Sequence, residues 1–144
     1  MSDLTISVQG KAESQTRLKA QTRQFSIIVD QPPALGGDDM GANPIEYLLA
    51  SFAGCVNVMA HLIAKEMGIK LEKLTIKVDG NINPDRFLGT SMAERAGYKD
   101  ISMKLEPVTD APAELLEKWV NEIKKRCPVN DNLSNPTPVN FCLS

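Results

Sequence analysis

Between Ile45 and Ala64 the strongly polar side chains are only Glu46, Ser51, Asn57 and His61. The segment carries helix signals at both ends. Asn43 is a good N-cap, Pro44 is favoured at the first helical position, and Glu46 suits the positive end of the helix dipole. Gly68 predicts the stop, at about Met67. A helix apolar almost all round must be enclosed on every side or lie in a bilayer. Glu46, Asn57, His61 and the small residues argue against a lipid-facing span, and no second such segment accompanies it. The sequence therefore predicts a buried central helix wrapped by sheets. A small sheet cannot cover a helix on all sides alone, which leaves room for a contribution from a second subunit.

The remaining elements fit an α/β domain. Leu4–Val8 alternates apolar and polar and predicts a strand with one buried face. Residues 17–20 and 24–29 predict two more. Asp30–Gly41, with two prolines and three glycines, is a long loop, and loops of about a dozen residues are often functional. Strands are expected at 74–80 and 101–106, with an irregular stretch over 81–97. A second helix should begin near Pro112, capped by Thr109 or Asp110. Its apolar stripe is Leu115, Leu116, Trp119, Val120 and Ile123, ending at Cys127, because Pro128 disfavours helical geometry there. The tail, 138–143, predicts a last strand with Val139, Phe141 and Leu143 facing in.

Composition narrows the functions. A chain of 144 residues suits one domain, 1–144. With 42% hydrophobic and 24% charged residues it is not a disordered sequence. The net charge of −2 and the lack of a Lys/Arg stripe give no support to nucleic-acid binding. Met1–Thr5 lacks the basic start of a secretory signal. Three cysteines without that signal point to a reducing, cytoplasmic compartment.

The candidate chemistry rests on thiols. One histidine and no Cys-x-x-Cys leave no metal site to expect, and no phosphate loop or nucleophile elbow is present. Cys55 follows Ala53-Gly54, whose small side chains leave room beside the thiol. Cys127 follows Lys124-Lys125-Arg126, and cations favour thiolate. Buried, inert cysteine is the commoner fate of a free thiol. Cys142 falls on the polar side of its strand and reads as incidental. His61 reads as a hydrogen-bonded core or interface residue, and Trp119 as core or as a pocket wall. Lys124, Lys125 and Arg126 read as a solvated helix end or a dock for an acidic partner.

Two segments carry a resemblance. Gly41-Ala42-Asn43-Pro44-Ile45-Glu46-Tyr47-Leu48-Leu49-Ala50-Ser51-Phe52-Ala53-Gly54-Cys55 resembles the central-helix motif of the OsmC/Ohr family, the osmotically inducible protein C and organic hydroperoxide resistance proteins. Arg126-Cys127-Pro128-Val129-Asn130 is similar to the family's Cys-Pro segment. The distance between them along the chain is also similar, and Asp30-Gln31-Pro32-Pro33 with Gly36-Gly37 resembles a family loop.

The resemblance implies an intertwined homodimer in which antiparallel sheets enclose the central helices. It implies a thiol peroxidase for organic hydroperoxides, with Cys55 as the peroxidatic thiolate and Cys127 as the resolving thiol. It also implies a dithiol reductant, such as a lipoylated protein, and no bound cofactor. Free cysteine has a pKa of about 8.5, so the site must stabilise the thiolate. The helix dipole fades within a turn, and Cys55 lies about three turns in. The family's cation is an Arg held by a Glu, for which Arg23 is the first candidate, Arg17 the second, and Glu46 the carboxylate. In the peroxidase branch that Glu directly follows the Pro. Here Ile45 holds that place, and Glu46 lies opposite Cys55 on an ideal helix at about 100° per residue. Two other classes remain open. One is a non-catalytic member binding a small hydrophobic ligand at the dimer interface. The other is a thiol sensor or carrier using Cys55 alone.

Overall fold

The computed structural model describes all residues, Met1–Ser144. They group into two compact units, Met1–Leu48 and Leu49–Ser144. The architecture is mixed α/β with antiparallel sheets.

The first unit holds a three-stranded antiparallel sheet in the order β1 (Gln9–Ala12), β2 (Leu18–Thr22), β3 (Phe25–Val29). The β2–β3 hairpin turns at Thr22↔Phe25, and Arg23 occupies the left-handed region there with φ 52°. The loop after β3 is tied down by Asp30, whose side chain is fully buried. Its carboxylate accepts hydrogen bonds from Thr16 Oγ1 at 2.8 Å, Gln31 N at 2.8 Å and Met40 N at 3.2 Å. Gly41 then passes so close to the Ile28 carbonyl that a Cβ would collide with it. Tyr47 Oη donates to that same carbonyl at 2.7 Å.

Helix α1 (Pro44–Glu66) starts where the cap signals place it. Asn43 Oδ1 accepts from Glu46 N at 2.9 Å and Glu46 Oε2 accepts from Asn43 N at 2.8 Å, a reciprocal capping box. Gly68, at φ 68°, turns the chain out of the helix.

In the second unit β4 (Lys73–Ile82) pairs with β5 (Tyr98–Val108) along nearly its whole length, joined across the short helix α2 (Asp85–Leu88). Helices α3 (Ala113–Arg126) and α4 (Pro128–Ser134) follow. The core gathers Phe52, Val56, Ala60, Ile63 and Ala64 of α1 with Trp119 and Ile123 of α3 and with Cys127. Alternate residues of the two strands pack on it: Leu74, Ile76 and Val78 of β4, and Ile101, Met103 and Leu105 of β5. A two-stranded ribbon is marginal alone, and this packing is what holds it. Trp119, 1% exposed, also donates its Nε1–H to Ala60 O at 2.8 Å.

Several expectations change. Leu4–Val8 forms no strand, and Leu4, Ile6 and Val8 are exposed. The β1–β2 ladder ends at Gln9↔Gln21, next to the β2–β3 turn, and beyond it Thr22 reaches Ser7 O through its side-chain hydroxyl at 3.1 Å. The 138–143 tail is likewise unpaired, with Val139, Phe141 and Leu143 in solvent. The cap of α3 is Pro112 without a side-chain bond; Thr109 Oγ1 instead accepts from Ala111 N in the preceding turn. Finally, α1 is long and apolar enough to cross a membrane, yet within this chain only one face is buried. Its other face exposes Val58 (63%) and Leu62 alongside Asn57 and His61. Those two polar groups make the face a poor match to hydrocarbon. His61, expected as a hydrogen-bonded core or interface residue, is exposed in this chain and bonds through Nδ1 to Asn57 O at 2.8 Å.

Two measurements check this account. Trp119→Ala should lower unfolding free energy in denaturant titration by about 3–5 kcal/mol, the cost of removing a buried large aromatic. Burial pushes the Asp30 carboxyl up, but the hydrogen bonds from Gln31, Thr16 and Met40 outweigh it and leave the pKa below the usual value. The stability Asp30 contributes is therefore present above its unfolded pKa, about 3.9, and is lost as pH falls through the lower folded value. Asp30→Asn should flatten that acid limb in stability measured against pH.

Candidate active site

Cys55 sits on the seam of α1. Its neighbours at helical spacing are Phe52 on the buried face and Ser51 and Val58 on the exposed one, and the thiol is half-buried. Gly54 beside it borders open space. Cys127 comes to it from the other end of the unit, 72 positions later in sequence.

The chain around Cys127 is fixed by Pro128. Pro lacks an N–H and disfavours α geometry before it, so α3 ends and Cys127 turns extended, with φ −77° and ψ 111°. Its N–H still donates to Ile123 O at 3.0 Å, closing α3, while its carbonyl accepts from Asp131 N at 3.0 Å, opening α4. Cys127 is thus the C-cap of one helix and the N-cap of the next, and its Sγ accepts from Asn130 N at 3.4 Å. Only 1% of it is exposed.

The two sulfurs are 3.1 Å apart, with the Cys127 thiol donating towards Cys55 Sγ. Burial pushes the Cys127 thiol above the usual value; the Asn130 N–H opposes this, and the contact with Cys55 adds to it. Cys127 is therefore held as the protonated partner. Cys142 is exposed in the tail.

A cleft of about 480 Å³ opens beside the pair, with Cys127 in its lining. Its walls are Phe52 and Val56 of α1, Ile101, Met103 and Leu105 of β5, and Val120 and Ile123 of α3. Lys104, Lys124 and Asn130 are the polar residues of its lining. Pockets of this size and apolar character hold small organic ligands. No group of three His, Cys, Asp or Glu side chains converges to hold a metal ion.

The other candidates have partners within the first unit. The Arg23 guanidinium lies over the Phe25 ring, 5.0 Å from its centroid. Arg17 pairs with Glu13 at 3.3 Å and Asp38 at 3.5 Å. Glu46 is engaged in the capping box. Neither arginine forms an ion pair with Glu46. Of the basic run before Cys127, Lys125 pairs with Glu122, and Arg126 forms a two-pronged pair with Glu66.

Two features escape the sequence reading. Helix α4 has a local signal, Pro128 at its first position after a capping residue, but seven residues of low periodicity do not announce a helix. Glu66–Arg126 joins residues distant in the chain and leaves no local signature.

Two cysteines in contact, one on a long core helix and one at the junction of α3 and α4, beside an apolar cleft, place the chain among α/β proteins with a paired-cysteine site. The match of residues 36–141 to the OsmC-like protein model makes the membership specific: the chain belongs to the OsmC-like family. Solved structures share the fold. An OsmC-like protein of Mycoplasma pneumoniae is 21% identical, with 94% of this chain and 91% of that one covered and a TM-score of 0.80. An organic hydroperoxide resistance protein OsmC of Legionella pneumophila is 16% identical, covering 92% and 91%, with a TM-score of 0.65. An organic hydroperoxide resistance protein of Elizabethkingia anophelis is 18% identical, covering 94% and 91%, with a TM-score of 0.68. No curated protein matches the sequence.

The burial order predicts a reactivity order. Under native alkylation followed by peptide mass spectrometry, Cys142 should label first, Cys55 second and Cys127 last.

Proposed function

We propose that this protein is a two-cysteine peroxidase for organic hydroperoxides. The observation that carries the reading is the 3.1 Å contact between Cys55 and Cys127 beside an apolar cleft. A disulfide is about 2.05 Å long, so the bond needs only about an ångström of closure. Peroxide attack falls to Cys55, the more exposed sulfur. Its thiolate attacks the terminal peroxide oxygen, and the O–O bond breaks with the alkoxide as leaving group. That gives Cys55 sulfenic acid and an alkoxide, which takes a proton to leave as the alcohol. Cys127 then attacks the sulfenic sulfur. The disulfide forms, and the sulfenic oxygen departs as water with the Cys127 proton. A dithiol, of which a lipoylated protein is one class, exchanges with the disulfide and restores both thiols.

The second copy belongs to the same proposal. The outer face of α1 and the unpaired segments at 4–8 and 138–143 expose large apolar side chains, Val58, Leu62, Leu4, Ile6, Val139 and Phe141 among them. A homodimer would cover them, and would bring cationic groups of either copy into play at Cys55. Arg23 and Arg17 are the proposed activating cations, with Glu46 as the proposed orienting carboxylate. The cleft itself favours a second reading, a carrier of a small hydrophobic ligand, which needs neither thiol.

One equivalent of cumene hydroperoxide should remove two thiols from the reduced protein and yield a Cys55–Cys127 disulfide, detected by mass spectrometry. Cys55→Ser should abolish the reaction, and Cys127→Ser should stop it at a sulfenic acid. Since burial raises the Cys127 pKa, less of its thiolate is present at a given pH than for a free thiol. The disulfide-forming step should therefore keep accelerating above about pH 8.5, the point where a free thiol levels off. Three intact thiols after minutes would remove the peroxidase reading and leave the ligand carrier.

A further inference from the structure

Glu66 is the last residue of α1 and Arg126 the last of α3, immediately before Cys127. Arg126 Nη1 donates to Glu66 Oε2 at 2.6 Å and Nη2 to Oε1 at 3.0 Å, the fork geometry in which guanidinium and carboxylate hold each other's orientation. Of the three cations in the last turn of α3, Arg126 is the one that reaches α1: Lys125 pairs within α3, and Lys124 borders the cleft. The Arg126 guanidinium holds the Glu66 carboxyl below its usual range, so the pair stays charged at neutral pH.

We infer that Glu66 and Arg126 form a positioning clamp that fixes Cys127 within bonding reach of Cys55. Trp119, through Ala60, anchors the middle of α3. Beyond Ile123 the end of α3 is closed by Cys127 N–H on Ile123 O and by Asn130 Nδ2 on Lys124 O at 3.0 Å, before Pro128 breaks the helix. Those bonds and the burial of Cys127 keep the turn folded, whereas the clamp is the ion pair that ties it to α1, so losing it loosens the register of Cys127 against Cys55. The pair is partly exposed, so its contribution to global stability is small. Its effect falls instead on the local concentration of one thiol at the other.

For turnover, the inference rests on the peroxidase reading. Cys55 sulfenic acid has two fates. Attack by Cys127 gives the disulfide and water. A second hydroperoxide gives the sulfinic acid and another molecule of alcohol. The clamp favours the first. The dithiol–disulfide equilibrium of the pair responds to the same geometry and does not depend on any peroxidase activity.

The test compares wild type, Glu66→Gln, and the exchanged pair Glu66→Arg/Arg126→Glu. Each is equilibrated in glutathione buffers and, separately, treated with excess cumene hydroperoxide, with products read by mass spectrometry. Glu66→Gln should shift the equilibrium against the disulfide by about tenfold, or about 30 mV, and raise the sulfinic product by a similar factor. The exchanged pair should recover wild-type behaviour to within about twofold, which a loss of folding would not allow. Equal behaviour of wild type and Glu66→Gln in both assays overturns the clamp. So does a defect that the exchange leaves uncorrected. If wild type fails to react with hydroperoxide while the glutathione equilibrium still shifts, the peroxidase reading falls and the clamp stands.

Discussion

The burial of one face of α1 is the constraint on which the second unit depends. Phe52, Val56, Ala60 and Ile63 recur at helical spacing and give β4, β5 and α3 a common surface. The small side chain of Ala60 leaves room for Trp119, which packs against α1 and bonds to its backbone. That docking carries the end of α3 to the level of Cys55. The thiol pair is thus a consequence of core packing. No loop has to be ordered to bring the sulfurs together, and elements packed in a core hold a geometry better than loops do.

Two chemically identical side chains acquire different characters from where they stand. Cys127 is sealed in the core at a helix junction, where burial keeps it protonated and the Asn130 N–H orients its sulfur. Cys55 lies at the edge of the same core, open on the side of Gly54. One thiol is accessible to a reagent from solution, and the other is accessible chiefly to its neighbour. That division suits a sequence in which the first is oxidised and the second completes the bond.

Where the signal is local, the sequence discloses the structure. Asn43-Pro44 and Glu46 define the start of α1 and Gly68 its end, and the cap geometry realises both. Alternation finds β4 and β5, and Pro128 places Cys127 at a helix end. The same alternation misleads at Leu4–Val8 and Val139–Leu143, because period two shows that a segment can pair and says nothing about whether a partner strand lies opposite. The apolar circumference of α1 reports total burial, whereas one chain covers only one face of it. At the site, both cysteines are legible from the motifs that flank them. Their contact, the Asn130 cap and the Glu66–Arg126 pair are not, since each depends on how α3 meets α1.

The cleft also bears on which oxidant such a site would take. Its lining is mostly side chains of Phe, Val, Ile, Met and Leu, with Lys104, Lys124 and Asn130 as its polar members. Hydrogen peroxide has no apolar surface to bury and gains nothing from those walls. An alkyl hydroperoxide gains about 0.8 kcal/mol for each methylene removed from water, roughly a fourfold gain in binding per carbon. A few carbons therefore outweigh the greater bulk of the organic molecule. On the proposed reading, preference for organic substrates needs no dedicated recognition residue. It follows from the packing that holds Cys127 against Cys55, because the walls of the cleft are continuous with that core.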